Sequence, residues 1–292
     1  GMLIAVMVTL FEQRIVGFSG ILIGILIGGF VGGILARTIK MTAMPQMVAI
    51  LNGFGGGASV LVASAEYIRL SGQGGASVDV AISVQFSVLV GAVTFSGSLI
   101  AFGKLQEIVT GQAVSYPLQK SINAVLTLLI LGVAIYLVVA QPESAISEQF
   151  AVLFGESIAT PMLVLVGLSL VLGVLSVLPI GGADMPVVIS LLNSYSGIAA
   201  ASTGFVIDNN GLIISGALVG ASGIILTMIM CKGMNRSLRN VLFGAFGAGA
   251  PEEPGAAMGG AGGTVRQVTS DDAAVMLAYA KQIIVVPGYG LA

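Results

Sequence analysis

The sequence predicts an all-α fold, a polytopic transmembrane bundle of about eight helices. Three observations predict it. Of the 292 residues, 56% are hydrophobic and only 8% are charged, whereas a soluble domain usually carries about 25% charged residues. The mean hydropathy is +1.05. The apolar segments are long and continuous rather than alternating, which is typical of membrane helices. The composition excludes an ordinary soluble enzyme and a disordered chain.

Eight apolar segments follow one another, and most reach the roughly 20 residues that cross a bilayer core. They cover residues 2–11, 15–36, 45–66, 80–103, 121–140, 158–180, 185–206 and 211–233. The first segment is short, so we interpret it as a partial helix. Together these segments predict a transmembrane domain over residues 1–240.

The second segment carries glycine at every fourth position: Gly20, Gly24, Gly28 and Gly32. A bare stripe of this kind lets another helix approach closely. We expect it to pack within this bundle, and a subunit interface is the alternative.

The basic residues predict the orientation, because cytoplasmic loops of membrane proteins are enriched in lysine and arginine. With eight alternating spans, Arg14 and Arg69 fall on one side. The other side receives Arg37, Lys40, Lys104, Lys120, Lys232, Arg236 and Arg239. The C-terminal tail is therefore predicted to be cytoplasmic, or in the matrix if the protein is mitochondrial.

Residue counts exclude several kinds of site. The chain has no histidine, which removes the usual proton carrier and the commonest metal ligand. Its single cysteine, Cys231, excludes an intrachain disulfide and a CxxC site. The net charge of −2 gives no indication of nucleic-acid binding. No metal site is predicted.

After the last span, residues 241–268 are rich in glycine and alanine and predict a flexible linker. Asp271 and Asp272 then mark a helix start, with a helix predicted over 273–281 and a buried strand over 282–287. The chain ends with a G-x-G sequence at Gly288, Tyr289 and Gly290. A strand followed by G-x-G resembles the opening of a dinucleotide-binding turn, so residues 269–292 are interpreted as the truncated start of a Rossmann-like domain.

Two spans open with the same pattern, M-P-x5-L-N. It runs from Met44 to Asn52 in the third span and from Met185 to Asn193 in the seventh. Proline is tolerated in the first helical turn, and seven residues of helix rise about 10 Å. Both asparagines are therefore predicted at matched depth inside the hydrocarbon. A proton or ion path and simple interhelical hydrogen bonding are both consistent with them.

Asp184 directly precedes the second of these motifs. It is predicted to be the helix N-cap. A carboxylate about 14 Å below Asn193 is also placed to relay protons.

Five stretches carry a family resemblance: MTAMPQMVAILNGFGGGAS (41–59), VTFSGSLIAFGKLQ (93–106), IGGADMPVVISLLNSYSG (180–197), GALVGASGIILTMIMCKGMNRS (216–237) and VVPGYGLA (285–292). They resemble the beta subunit of proton-translocating NAD(P) transhydrogenase. The chain is similar to the membrane domain of that subunit. The resemblance implies that the chain lacks a first span and breaks off at the first turn of the NADP(H)-binding domain.

The resemblance implies hydride transfer between NAD(H), bound on an alpha subunit, and NADP(H), bound on the domain after PGYG, coupled to protons crossing the membrane. It implies a dimer of assemblies in the bacterial inner membrane, or in the mitochondrial inner membrane if eukaryotic. The fragment alone is not expected to bind either cofactor or to catalyse hydride transfer. A secondary ion or solute transporter and a structural anchor are the competing functions.

Residue by residue, the resemblance assigns Asn193 to the proton path and Asp184 to its cytoplasmic end. Asn52 stands where many members carry histidine, and asparagine takes up no proton near neutral pH. Lys232, Asn235 and Arg236 are expected to couple the proton path to the nucleotide domain, with positive-inside anchoring as the alternative. Gly288, Tyr289 and Gly290 match part of the NADP fingerprint.

Overall fold

The structure, a computed structural model, describes residues 18–139, 159–243 and 270–284. Within these residues all regular structure is helical, which confirms the all-α prediction for this part of the chain. In chain order the α-helices are α1 (Phe18–Thr38), α2 (Met44–Ser71), α3 (Val78–Leu105), α4 (Gln119–Val139), α5 (Ala159–Val177), α6 (Met185–Val206), α7 (Asn210–Gly233), α8 (Leu238–Phe243) and α9 (Ser270–Tyr279).

Six of these helices, α2 to α7, are long and apolar enough to cross a membrane. They coincide with the six predicted segments from 45–66 to 211–233. The predicted segment 15–36 overlaps α1, whose apolar stretch Leu22–Thr38 is shorter than a span. The segment 2–11 lies outside the described residues. The described chain thus supports six spanning helices, and the other two of the expected eight stay predictions.

The repeated M-P pattern opens two helices in the same way. Short 3-10 turns, Met41–Ala43 and Gly182–Asp184, lead into α2 and α6. In both helices the proline lies in the first turn, where its missing N–H leaves no hydrogen bond unmade. The predicted starts of both spans are therefore confirmed to within a residue.

The bundle is arranged around α3, which packs against α2, α5 and α6. Outside this group, α7 packs against α6, and α4 packs against α5 and α3. Apolar side chains fill two clusters. One lies among α2 to α5 and contains Tyr67, Val84 and Leu165. The other lies where α6 starts and α5 and α7 end, and contains Val177, Ile180, Met185, Cys231 and Val241, among others. We name it the basic-end core, because most basic residues lie at this end of the bundle.

Glycines allow the helix backbones to touch. A Cβ atom added to Gly56 of α2 would lie 2.6 Å from the carbonyl oxygen of Gly91 in α3. A Cβ added to Gly197 of α6 would lie 2.5 Å from the backbone nitrogen of Gly220 in α7. These crossings use glycine as membrane bundles commonly do, to bring helix backbones together.

Among residues 18–139 and 159–243, three glycines of the α1 stripe have no such partner. Added Cβ atoms at Gly24, Gly28 and Gly32 would meet nothing within 4 Å, and nearly all side chains from Leu22 onwards are exposed. For these three glycines, the expected packing is not found against the helices that the structure describes. Their unused surface is consistent with the alternative, a contact with another chain.

The helix ends that carry the basic residues meet at one end of the bundle, which we name the basic end. It contains the starts of α2 and α6 and the ends of α3, α5 and α7. Hydrogen bonds tie these ends together. Gln46 Nε2 donates to Leu105 O at 3.4 Å, and Lys104 Nζ donates to Leu178 O at 2.5 Å. The basic end is where the predicted site residues Asp184 and Arg236 lie.

The chain divides into two units, Gly1–Phe246 and Gly247–Ala292. The described part of the second unit contains α9, which confirms the helix predicted after Asp272, although α9 begins at Ser270 and ends at Tyr279. The predicted strand is not formed by residues 282–284, and its remainder lies outside the described residues. The Rossmann-like start and the domain boundaries therefore stay predictions.

Candidate functional site

Asp184 is the most buried charged residue of the candidate site. Its side chain is fully buried. It occupies the N-cap position of α6 as predicted, but it makes no side-chain capping hydrogen bond. Instead, Arg236 Nη1 donates to both carboxylate oxygens, at 2.9 Å to Oδ1 and 2.8 Å to Oδ2. The predicted N-cap position is therefore confirmed, but the expected capping hydrogen bond is not made, because the carboxylate is engaged by the guanidinium that follows α7 at the same end of the α6–α7 hairpin.

The turn after α7 directs Arg236 towards this carboxylate. Arg236 N donates to Cys231 O at 2.9 Å and Asn235 N donates to Lys232 O at 3.1 Å. Asn235 has φ of +52°. This pair of bonds with a left-handed residue is the Schellman motif, in which asparagine is tolerated better than most side chains. Asn235 thus positions Arg236 through its backbone conformation.

Lys232 belongs to the last turn of α7 and is exposed. A cation there interacts favourably with the helix C-terminus. Its placement is consistent with both roles considered for it, coupling to the nucleotide domain and anchoring at the membrane surface.

The two asparagines of the repeated motif lie at the same level. Asn52 is buried, and its Nδ2 donates to Ile189 O of α6 at 3.2 Å. Ser196 Oγ donates to the backbone oxygen of Asn52 at 3.4 Å. Asn52 therefore lies between Ile189 and Ser196 along α6, which is the level of Asn193. The prediction of matched depth is confirmed.

The asparagine amides are not bonded to each other. Within the described part of the chain, the Asn193 side chain makes no hydrogen bond and Asn52 Oδ1 accepts none. Asn193 is partly exposed in this chain. Amide groups without protein partners in a hydrocarbon environment are costly unless water or another chain hydrates or pairs them. Beside the hydrogen bonds that join α2 and α6 at Asn52, the site thus offers the Asn193 amide and Asn52 Oδ1 to a water chain.

Sequence reasoning missed two polar features. Lys104 was assigned to a cytoplasmic loop, yet it is 3% exposed and bonded to three carbonyls. Ser87 Oγ lies 2.7 Å from Thr203 Oγ1 in the buried α3–α6 contact. Of these two features, only the burial of Lys104 has a weak signal in the sequence: the lysine directly follows the apolar residues that end the span.

Cofactor residues are not among the described ones, since Gly288, Tyr289 and Gly290 lie beyond residue 284. In the described ranges no three His, Cys, Asp or Glu side chains are grouped to hold a metal ion. The geometry available is therefore that of a membrane polar site with a buried ion pair at its basic end.

Comparison with known proteins decides the family. The family model described as NAD(P) transhydrogenase beta subunit matches residues 1–292. The chain belongs to the NAD(P) transhydrogenase beta subunit family. Two Rhodospirillum rubrum sequences, both named NAD(P) transhydrogenase subunit beta, are each 44% identical to it over 299 residues. These alignments cover 100% of this chain and 60% of each relative.

As a member of this family the chain is a membrane protein. Its described part contains six helices that are long and apolar enough to cross a membrane. The chain spans 60% of the length of these relatives.

Proposed function

We propose that this chain is the proton-translocating membrane part of an NAD(P) transhydrogenase. In this proposal it couples proton passage to hydride transfer between NAD(H), on an alpha subunit, and NADP(H), on a domain that follows residue 292. The chain would lie in the bacterial inner membrane, or the mitochondrial one if eukaryotic, as part of a dimer, with its basic end in the cytoplasm or matrix. The basic residues at that end support this orientation.

The observation that carries the proposal is the Asp184–Arg236 ion pair. Asp184 belongs to the expected proton path, and Arg236 belongs to the segment expected to couple it to the nucleotide domain. The two are bonded directly at 2.8 and 2.9 Å, although they are 52 residues apart in sequence. One contact therefore joins the two sets of residues.

The ion pair is the contact on which this coupling depends. Loss of the Asp184 charge removes what holds the guanidinium. Breaking one partner of a buried ion pair typically costs about 3–5 kcal/mol, enough to drive a local rearrangement. Arg236 lies between α7 and α8. The presence or loss of the ion pair is thus felt directly in the segment that joins these two helices.

Beyond Asp184, protons pass through water held by Asn52 and Asn193. Neither asparagine titrates near neutral pH. The titrating group at this depth is supplied by helices of the partner subunit, because this chain contains no histidine. The Asn193 amide and Asn52 Oδ1, which have no hydrogen-bond partner among the described residues, support this step.

The test uses the complete complex, with its alpha subunit, in proteoliposomes. NADPH-driven reduction of an NAD analogue and dye-reported proton movement are measured together. Asp184→Asn removes the charge and is expected to slow both by at least about tenfold, with NADPH affinity retained. The matched control is Asp208→Asn at the exposed far end of α6, where a left-handed φ of +53° suits asparagine equally well.

Asn193→Ala is expected to lower both rates together, while Asn210→Ala, at the exposed start of α7, leaves them unchanged. Equal rates for Asp184→Asn and wild type would overturn the coupling role. Unchanged coupling in Asn193→Ala would favour the alternative that this part of the chain is a structural anchor. The secondary-transporter alternative gains no support, since the matched family and both relatives carry the transhydrogenase name.

A further inference from the structure

Lys104 is a buried cation whose acceptors are all backbone carbonyls. Its side chain is 3% exposed, near the end of α3. Its Nζ donates to Leu178 O at 2.5 Å, to Ile180 O at 2.8 Å and to Gln112 O at 3.1 Å. An ammonium group has three N–H donors, so these three carbonyls satisfy it completely in its charged form.

The three carbonyls belong to two segments that meet around the ammonium. Leu178 and Ile180 follow the last residue of α5, and Gln112 lies in the connection between α3 and α4. Backbone bonds join the same segments: Gly182 N donates to Gly111 O at 2.8 Å, and Val114 N donates to Leu178 O at 3.3 Å. A cation is favoured there, because the C-terminal ends of α3 and α5 both lie beside it and carry the negative end of the helix dipole.

The clamped segment leads directly to Asp184. Asp184 N donates to Gly181 O at 3.0 Å, so the turn after Ile180 fixes where the carboxylate begins α6. Ile180 also packs in the basic-end core with Met185 and Cys231. Cys231 is the residue whose carbonyl anchors Arg236. Both partners of the ion pair are therefore tied to the segment that Lys104 holds.

We propose that Lys104 is a positioning residue, whose ammonium clamps residues 178–182 against residues 111–114 and so keeps Asp184 in register with Arg236. The consequence for coupling rests on the proposed function. The clamp itself does not, and it is measured separately.

A positive-inside anchor is the competing role for this lysine, and Lys120 shows what such a residue looks like. Lys120 lies at the start of α4 on the same end of the bundle and is exposed. Removing the charge of Lys120 lowers the positive charge at this end of the bundle by the same amount as removing the charge of Lys104. It leaves the hydrogen bonds between Lys104 and the three carbonyls intact. Lys120→Met is therefore the matched control for Lys104→Met.

Cys231 provides the direct readout, because it is the only cysteine of the chain and is 4% exposed. The complete complex is treated with N-ethylmaleimide, and alkylation of Cys231 is followed by the mass of this chain. Lys104→Met is expected to speed alkylation at least fivefold, while Lys120→Met stays within twofold of wild type. Lys104→Arg, which keeps the cation, is expected to fall between wild type and Lys104→Met.

Alkylation of Lys104→Met at the wild-type rate overturns the proposal. If Lys104→Met fails to assemble, Lys104→Gln carries the same test, since it keeps two donors on a shorter side chain. The activity assay separates the two hypotheses. If Lys104→Met is alkylated faster but Asp184→Asn keeps full coupling, the clamp stands and the proposed function is refuted. If Lys104→Met is alkylated at the wild-type rate but Asp184→Asn loses coupling, only the clamp is refuted.

Discussion

Gly197→Ala is the substitution whose cost the structure defines most directly. The added Cβ would lie 2.5 Å from Gly220 N and 2.8 Å from Gly216 O, both backbone atoms of α7. Carbon contacts are optimal at about 3.5–4.0 Å. The two helices must therefore separate by roughly 1 Å, since neither backbone atom can rotate away. The same separation stretches the hydrogen bond from Ser194 Oγ to Gly220 O, now 2.6 Å, beyond useful range.

The magnitude follows from three terms. Overpacking costs about 1–3 kcal/mol, and loss of one interhelical hydrogen bond in a membrane bundle costs about 0.6 kcal/mol. Alanine returns up to about 1 kcal/mol of helix propensity relative to glycine. We expect a net destabilisation of about 1–3 kcal/mol, measured as the free energy of unfolding in detergent.

The control is Gly167→Ala in α5, where an added Cβ meets nothing within 4 Å. It should be neutral or stabilising by up to about 1 kcal/mol. The two substitutions are chemically identical, so the sign of their difference isolates the helix crossing. Equal stability of the Gly197→Ala and Gly167→Ala proteins would refute the argument that backbone contact determines the cost.

Three further predictions concern other contacts. Tyr67→Phe removes the hydroxyl that donates to Leu137 O between α2 and α4, so the free energy of unfolding should fall by about 0.5–1.5 kcal/mol; no change would contradict the bond. Ser87→Ala removes the 2.7 Å contact with Thr203 and should cost about 0.6 kcal/mol, whereas Ser83→Ala, on an exposed turn of α3, should cost nothing measurable. Burial raises the pKa of Tyr116, although its bond to Asn123 acts in the opposite sense. In an absorbance titration, Tyr116→Phe should therefore remove a phenolate component that titrates above 10.0, the ordinary value. Loss of a component at or below that value would show that the hydroxyl is solvated.

The positions of the spanning helices were predictable because continuous apolar length is the property that a bilayer selects. Their ends were less so. The third segment was predicted to end at residue 66, yet α2 continues to Ser71. The charges of Glu66 and Arg69 lower the hydropathy there, which is why the apolar segment was ended at residue 66. In the structure the two residues form an ion pair at 2.5 Å one turn apart, and the helix continues through them.

The candidate site was predictable as a set of residues but not as an arrangement. The repeated motif placed Asn52 and Asn193 at one depth, because helix rise is fixed. The pairing of Asp184 with Arg236 depends on how α6 and α7 cross, which is a tertiary property. Lys104 was missed for a related reason: a cation at the end of a span is usually solvated, and only the meeting of residues 111–114 with 178–182 buries this one.

The crossing of α6 and α7 also bears on how fast the ion pair re-forms. Asp184 precedes α6 and Arg236 follows α7, so both belong to one hairpin whose arms touch backbone to backbone. The arms of such a hairpin cannot slide past each other without separating. The two charged groups therefore meet at a high effective concentration, as in any reaction made intramolecular by a rigid support. Diffusional encounter therefore contributes little to the rate at which the Asp184–Arg236 ion pair re-forms after it breaks.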